Sequence, residues 1–263
     1  MKKLAAILLA GVLALTVFVG CGGKDAGNAD NGNKETLVVG LDPEFPPMGF
    51  KENDDEIVGF DIDLANAVAE EMGVQMKFQP IDWSSKELEI DTGRIDMIWN
   101  GFSVTPEREE ALLLTKPYLN NNMIVVTLKD SAISKVEDLE GKKVVLQKES
   151  SALDAFQEAP VSEKVADLTQ LSSNVDCFQD LENGRAEAMV VDETVAKYYL
   201  NLHKDKFKIL DESLGAEKYA IGLKKGNDEL KDKLEAAITK VVKNGKAKEI
   251  SEKWFGEDIV AWE

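Results

Sequence analysis

Leu37-Val38-Val39-Gly40-Leu41-Asp42-Pro43, followed after a loop by Gly59-Phe60-Asp61-Ile62-Asp63-Leu64, decides how this chain folds. The first run is apolar without alternation and stops at an acid and a proline, the pattern of a buried strand with a turn after it. The second opens an amphipathic helix. Ile62, Ala65, Val68, Ala69 and Met72 fall on one face, Asp61 fits the N-cap and Gly73 fits the stop. Asp61 and Asp63 resemble a catalytic carboxylate pair, but capping and a favourable helix dipole account for both.

The alternation continues outward. Strands are expected at 74–78, 95–98, 123–128, 142–147, 187–191 and 219–223. Thr105-Pro106-Glu107-Arg108 reads as a helix start, with a hydroxyl cap, proline at the first helical position and then an acid. Ser150-Ser151 begin another helix. Residues 228–244 close the pattern with Leu230, Leu234, Ile238 and Val241 on one side and Gly245 at the end, and a shorter helix runs through Trp254. Strands alternating with helices predict an α/β fold with largely parallel sheets. A weak internal echo points to two similar lobes: Gly93-Arg94-Ile95-Asp96-Met97-Ile98 and Gly184-Arg185-Ala186-Glu187-Ala188-Met189 share glycine, arginine, then a strand with an acid near its start.

The N-terminal end carries a different message. Lys2 and Lys3, an apolar run at 4–19 and a small residue before Cys21 have the anatomy of a secretory signal. Phe18-Val19-Gly20-Cys21 looks like the lipobox of bacterial lipoproteins, with Phe18 in place of the usual leucine. Residues 1–20 are therefore expected to be removed and Cys21 lipidated, placing the chain outside the cytoplasm on the membrane's outer face or in a periplasm. Residues 22–34 hold no side chain larger than alanine among their apolar ones and read as a flexible tether, spanning about 20 Å as a coil.

Composition narrows the function. A formal net charge of −18 repels phosphate backbones and anionic headgroups, which argues against nucleic-acid and membrane-surface binding. With Cys21 occupied by lipid, Cys177 has no disulfide partner and is expected to be a buried thiol beside Leu181. A single histidine, His203, and no Cys-x-x-Cys predict neither a zinc site nor a Ser-His or Cys-His catalytic pair, and no cofactor is expected.

In open α/β sheets ligands gather at the carboxyl ends of strands. Those ends carry Asp42 with Phe45 nearby, Asp82 and Trp83, then Asn100, Gly101 and Ser103, and in the second half Gln147, Ser150, Ser151 and Asp192. Helix N-termini at Thr105 and at Ser150-Ser151 offer free N–H groups, and Arg108 adds a fork suited to a carboxylate. An alternative for Arg108 is a surface ion pair with Glu107, Glu109 or Glu110. Asp192 suits an ammonium, and Phe45 and Trp83 suit an aliphatic chain or a cation. An anion site, a cation site and two aromatics together fit a zwitterion.

Glu44-Phe45-Pro46-Pro47, residues 59–64, Asp82-Trp83, Gly93-Arg94-Ile95-Asp96, Ser103-Val104-Thr105-Pro106-Glu107-Arg108, residues 139–144 and Lys253-Trp254-Phe255-Gly256 together resemble the polar amino acid substrate-binding proteins of bacterial ABC transporters. The resemblance covers the chain from Thr36 onward. It implies a type II periplasmic-binding-protein fold, two α/β lobes joined by a two-strand hinge, with crossovers near 118–122 and 215–219. Lobe one would hold residues 36–120 and 217–263, and lobe two residues 121–216, behind a lipidated tether at 21–35. Carried over by motif, Arg108 would hold the ligand carboxylate with Ser103 and the backbone around Gly101 and Ser150-Ser151. Asp192 would hold the ammonium, Phe45 and Trp83 would flank the side chain, and Asp42 would meet a cationic or amide side chain. The chain departs from the family at Glu149, where glycine is usual, and at Asn100, which replaces a small residue.

These residues predict a monomeric binding module that is not an enzyme, and that delivers a polar amino acid to an ABC permease and its ATPase. A dehydratase-like enzyme on the same scaffold would need a general acid such as Glu149 or Lys148. A sensory module would need a separate receptor.

Overall fold

The structure is a computed structural model that describes residues 34–52 and 56–263. The expected signal segment, Cys21 and nearly all of the tether lie outside the described residues. Among the described residues, no helix is long and apolar enough to cross a membrane.

The elements in chain order are β1 (Thr36–Leu41), β2 (Glu44–Phe45), β3 (Gly49–Lys51), β4 (Ile57–Val58), α1 (Phe60–Met72), β5 (Gln75–Pro80), α2 (Lys86–Asp91), β6 (Met97–Ser103), α3 (Pro106–Ala111), β7 (Leu113–Leu114) and β8 (Leu119–Leu128). Then follow β9 (Lys143–Gln147), α4 (Ser151–Glu158), β10 (Asp167–Leu171), α5 (Asn174–Glu182), β11 (Ala188–Asp192), α6 (Glu193–Leu202), β12 (Phe207–Leu223), α7 (Asp228–Lys243) and α8 (Lys246–Phe255).

Two long antiparallel strands organise the main sheet, whose order is β10-β9-β11-β8-β12-β6-β1-β5. β8 and β12 pair from Leu119↔Tyr219 to Leu128↔Phe207, with two register shifts. On one side β12 pairs with β6, which leads to the parallel set β6-β1-β5. On the other, β8 pairs with β11, which leads to the parallel set β11-β9-β10. The sheet is therefore mixed, with parallel wings on an antiparallel centre, rather than largely parallel throughout. The chain returns at its end to the first wing, where α7 and α8 pack on α1.

The inner strands β1, β9 and β11 are covered on two faces, which is why they read as unbroken apolar runs, whereas the edge strands β5 and β10 are only half-buried. In β11, Met189 and Val191 join Cys177, Phe178 and Leu181 of α5 on one face. Ala188 and Val190 join Ala152 and Phe156 of α4 on the other. In β6, Met97 and Trp99 share a cluster with α1 and α7, while Ile98 and Phe102 pack with Ile90 of α2. Cys177 is a free, buried thiol, raised above its ordinary range chiefly by desolvation.

The internal echo is repeated in hydrogen bonds. Gly93 and Gly184 both take positive φ of 69°. Arg94 then pairs with Glu89, and Arg185 with Asp180, each five residues back. Asp96 Oδ2 accepts the N–H of Val38 at the base of β1 (2.7 Å), and Glu187 Oε2 accepts the N–H of Lys143 at the base of β9 (3.1 Å). Each acid thus ties its own strand to the parallel neighbour that begins its wing.

One local expectation is corrected. Asp61 is not the N-cap of α1; Gly59 is, and it makes no side-chain cap. The first N–H groups are met instead by backbone: Phe60 donates to the Pro47 carbonyl and Asp61 to that of Met48. With the cap supplied by a loop, the Asp61 carboxylate is freed to turn inward, where it is buried and accepts the N–H of Gly101 at 2.7 Å.

Candidate functional site

The carboxyl ends of β1, β6, β9 and β11 meet along one line between the wings, and the polar residues stationed there touch across it. Gln147 Nε2 at the end of β9 donates to Asp42 Oδ2 after β1 (2.6 Å), and Ser151 Oγ of α4 donates to Ser103 Oγ of β6 (3.1 Å). The cleft is therefore shut, with side chains of the two wings in direct contact.

Asp42 anchors the end of the line nearest β2. Its N–H donates to Asn100 Oδ1 (2.9 Å), and Asn174 Nδ2 donates to Gln147 Oε1 (3.1 Å), giving a chain Asn174–Gln147–Asp42–Asn100 that spans both wings. Burial pushes the Asp42 carboxyl up to about 6 against the opposing hydrogen bonds from Glu44 N–H and Gln147. Phe45 packs beside Gly101, whose φ of 56° and lack of a side chain let the strand turn there; a Cβ would sit 2.8 Å from the Phe45 ring. Trp83 belongs to a different apolar cluster from Phe45 and meets the ring of Phe102 edge-on at 5.9 Å.

Arg108 occupies the middle. Thr105 caps its helix by accepting the Arg108 N–H, and Pro106 fills the first position, so the start of α3 forms as the sequence indicates. The guanidinium lies over Phe102 at 4.2 Å and donates to the Ser103 carbonyl at 2.8 Å. It is 7% exposed. The surface ion pair with a neighbouring glutamate is not formed: among the described residues Arg108 has no salt bridge, and burial pulls it below its ordinary range. Ser150 turns its hydroxyl to the Gln147 carbonyl (2.6 Å) and does not cap α4 with its side chain.

Asp192 ends β11 and is buried. It accepts from the Tyr219 hydroxyl (2.6 Å) and from Asn121 Nδ2 (2.8 Å). Burial first, and the charge of Glu217 second, raise its carboxyl above the usual range.

Five residues at this line were not anticipated: Lys86, Asn121, Asn174, Glu217 and Tyr219. Lys86 is 3% exposed and reaches across the cleft to the Glu149 carbonyl (3.0 Å). Glu149 is exposed with φ of 54°, the left-handed conformation that glycine adopts without strain. Asn121, Glu217 and Tyr219 lie on the two central strands. Strand-end reasoning cannot find them, although Asn120-Asn121-Asn122, three amides inside an apolar strand pattern, was a signal.

The buried acids give a pH signature. The Asp61 carboxyl is raised to about 7 by desolvation, and Asp42 to about 6. Both folded values lie above the unfolded one of about 3.9. Their contribution to stability is therefore fully present below about pH 4 and is lost as pH rises through 6 for Asp42 and through 7 for Asp61. We expect calorimetry to give a higher melting temperature at about pH 5.5 than at about pH 8.5, with Asp61→Asn narrowing the gap. An undiminished gap in that variant would assign the effect to general charge repulsion instead.

Comparison with known proteins identifies the family of the chain. Residues 37–257 match the family described as bacterial extracellular solute-binding proteins, family 3. The arginine-binding extracellular protein ArtP of Bacillus subtilis is 30% identical over 264 residues, covering 97% of this chain and 98% of its own length. The L-cystine-binding protein TcyJ of Escherichia coli is 28% identical, covering 95% and 96%. Among solved structures, an ABC uptake transporter substrate-binding protein from Streptococcus pneumoniae with bound histidine is 37% identical with a TM-score of 0.83, covering 86% of this chain and 94% of that one.

Proposed function

We propose, for a chain that belongs to the bacterial extracellular solute-binding proteins of family 3, that it captures one polar amino acid by closing two lobes and hands it to an ABC permease with its ATPase. The observation that carries this reading is Arg108, a buried guanidinium that, among the described residues, makes one side-chain hydrogen bond and no salt bridge. A buried cation so placed is costly until a carboxylate fills its fork. In this reading Arg108, Ser103 and the N–H groups at Ser150-Ser151 hold the ligand α-carboxylate, and Asp192 holds the α-ammonium. Phe45 and Trp83 border the side chain, and Gly101 gives the backbone room to approach.

Asp42, Gln147, Asn100 and Asn174 form the far end of the site. An acid and three amides there favour a side chain that donates hydrogen bonds, cationic or amide, over an apolar one. Glu149 stays outside the pocket and serves through its carbonyl. The lobes divide at 120 and 216, so that β8 and β12 form the hinge, and Cys21 carries the lipid that holds the protein at the membrane. Closure removes water from the ion pairs and strengthens them, which lets few contacts select one ligand.

The test is thermal stabilisation of the chain starting at Gly22 across the standard amino acids, ornithine and cystine. A bound ligand at about 100 times its dissociation constant adds ~2.7 kcal/mol. A shift with arginine, lysine, ornithine, histidine or glutamine supports the assignment of Asp42. A shift confined to apolar amino acids would overturn it, and the absence of any shift would end the capture reading.

A further inference from the structure

Asp192 is not the only acid at the hinge side of the cleft. Glu217 stands on β12 opposite Asn121 of β8. Asn121 Nδ2 donates to both acids, at 2.8 Å to Asp192 Oδ1 and 3.2 Å to Glu217 Oε2. Glu217 Oε2 also accepts from Ser103 Oγ at 2.8 Å, and Ser103 is the residue that Ser151 reaches from the other lobe. Two carboxylate oxygens therefore share one amide nitrogen at the point where the lobes meet.

The surroundings do not discharge this pair fully. From β12, Tyr219 donates its hydroxyl to Asp192, and Thr194 of α6 shares that hydroxyl at 3.1 Å. From α3, Arg108 is close enough to feel both acids but has no salt bridge to either among the described residues. Glu193, the first residue of α6, is turned away to Asn122 and Lys197. Burial, and after it the charge of Glu217, disfavour the ionised form of Asp192, so this carboxyl retains a proton near neutral pH.

Resting on the ligand assignment above, we propose that Glu217 is a second acid of the ammonium receptor and that an amino acid binds there with release of a proton from the Asp192–Glu217 pair. The carboxylic O–H bond breaks, its proton passes to the buffer, and the pair becomes a dianion. The incoming α-ammonium keeps its own three protons and donates N–H groups to both carboxylates. The same pair admits a primary ammonium better than a quaternary one, because only the former has donors for two acids.

Isothermal titration with L-arginine, L-glutamine and L-cystine, in buffers of equal pH and different ionisation enthalpy, counts the protons directly. For whichever of these binds, we expect up to one proton released at about pH 6.5 and fewer at about pH 7.5, with affinity rising over that interval, which ends below the range where the ligand's own α-ammonium loses its proton. Glu217→Gln retains an oxygen that accepts from Ser103 and Asn121 while removing the charge. It should bind about 10-fold more weakly or worse and release fewer protons than the wild type at the same pH. The wild-type proton count stands even if that variant folds poorly. Binding by the wild type without proton exchange, or an unchanged count in Glu217→Gln, overturns the paired receptor and leaves the capture reading intact. No heat from any of the three, together with no thermal shift in the wider panel, removes the capture reading and the receptor with it.

Discussion

Arg108→Ala is expected to lose amino acid binding by a factor of about 1,000 or more while the ligand-free protein melts at an unchanged or slightly higher temperature. The two halves of that expectation have one cause. The guanidinium is buried over Phe102, its single side-chain hydrogen bond goes to the Ser103 carbonyl, and it has no salt bridge among the described residues. Without ligand, the charge is held out of water at a cost, so removing it relieves the folded protein of a desolvation penalty. With ligand, the fork is the group that can pair a carboxylate through two parallel bonds. Arg108→Lys separates charge from geometry: a lysine keeps the positive charge but cannot present the fork, and should recover only part of the affinity. Titration calorimetry for binding and differential scanning calorimetry for the apo protein check both halves. An Arg108→Ala variant that binds as tightly as the wild type would remove the carboxylate from this position. A large loss of apo stability would instead make Arg108 a structural residue.

The residues that reveal this site from sequence are those at strand ends. Asp42, Ser103, Gln147 and Asp192 each follow or close an apolar run, and a rule about sheet topology suffices to bring them together. Arg108 was legible for a different reason, because the Thr105-Pro106 cap fixes where α3 begins and so where the arginine stands. Glu217 and Tyr219 were legible only as part of an expected crossover and not as site residues, and Asn121 only through the run of three amides at 120–122. They come from two long strands whose pairing joins residues almost a hundred apart, and nothing local in 207–214 announces a strand that changes partners along its length. β10 and α5 also escaped reading as a strand and a full helix, since Asp167-Leu168-Thr169-Gln170-Leu171 is only half-buried and α5 has a polar outer face. Asp61 was misread for a physical reason as well. An acid at a helix start is ordinarily a cap, and only the tertiary structure reveals that backbone carbonyls of Pro47 and Met48 have taken that role.

That substitution of loop for cap makes Gly59 the position where one methyl group should do most damage to the fold. Gly59 has φ of 144°, and a Cβ there would lie 2.2 Å from the Met48 carbonyl oxygen and 2.9 Å from Gly49 Cα. Both are backbone atoms, so no side chain can swing aside. To admit alanine, α1 must part from the 47–49 loop, which breaks the bonds from Phe60 and Asp61 to Pro47 and Met48. The loop is also fixed by Met48 N–H donating to the Phe45 carbonyl, and α1 holds Gly101 through Asp61, so the disturbance reaches both Phe45 and the turn at Gly101. We expect Gly59→Ala to cost about 3 kcal/mol or more, combining overpacking with a strained backbone. In a protein of this size that is a fall of roughly 6–12 °C in melting temperature. Gly73→Ala supplies the scale: its φ of 72° and ψ of 22° lie in the left-handed region, which alanine enters at a modest cost, and a Cβ there meets nothing within 4 Å. It should cost about 1 kcal/mol, the penalty of the left-handed conformation alone. Equal losses for the two variants would mean that Gly59 is kept for its backbone angles, and that the loop yields where the geometry says it cannot.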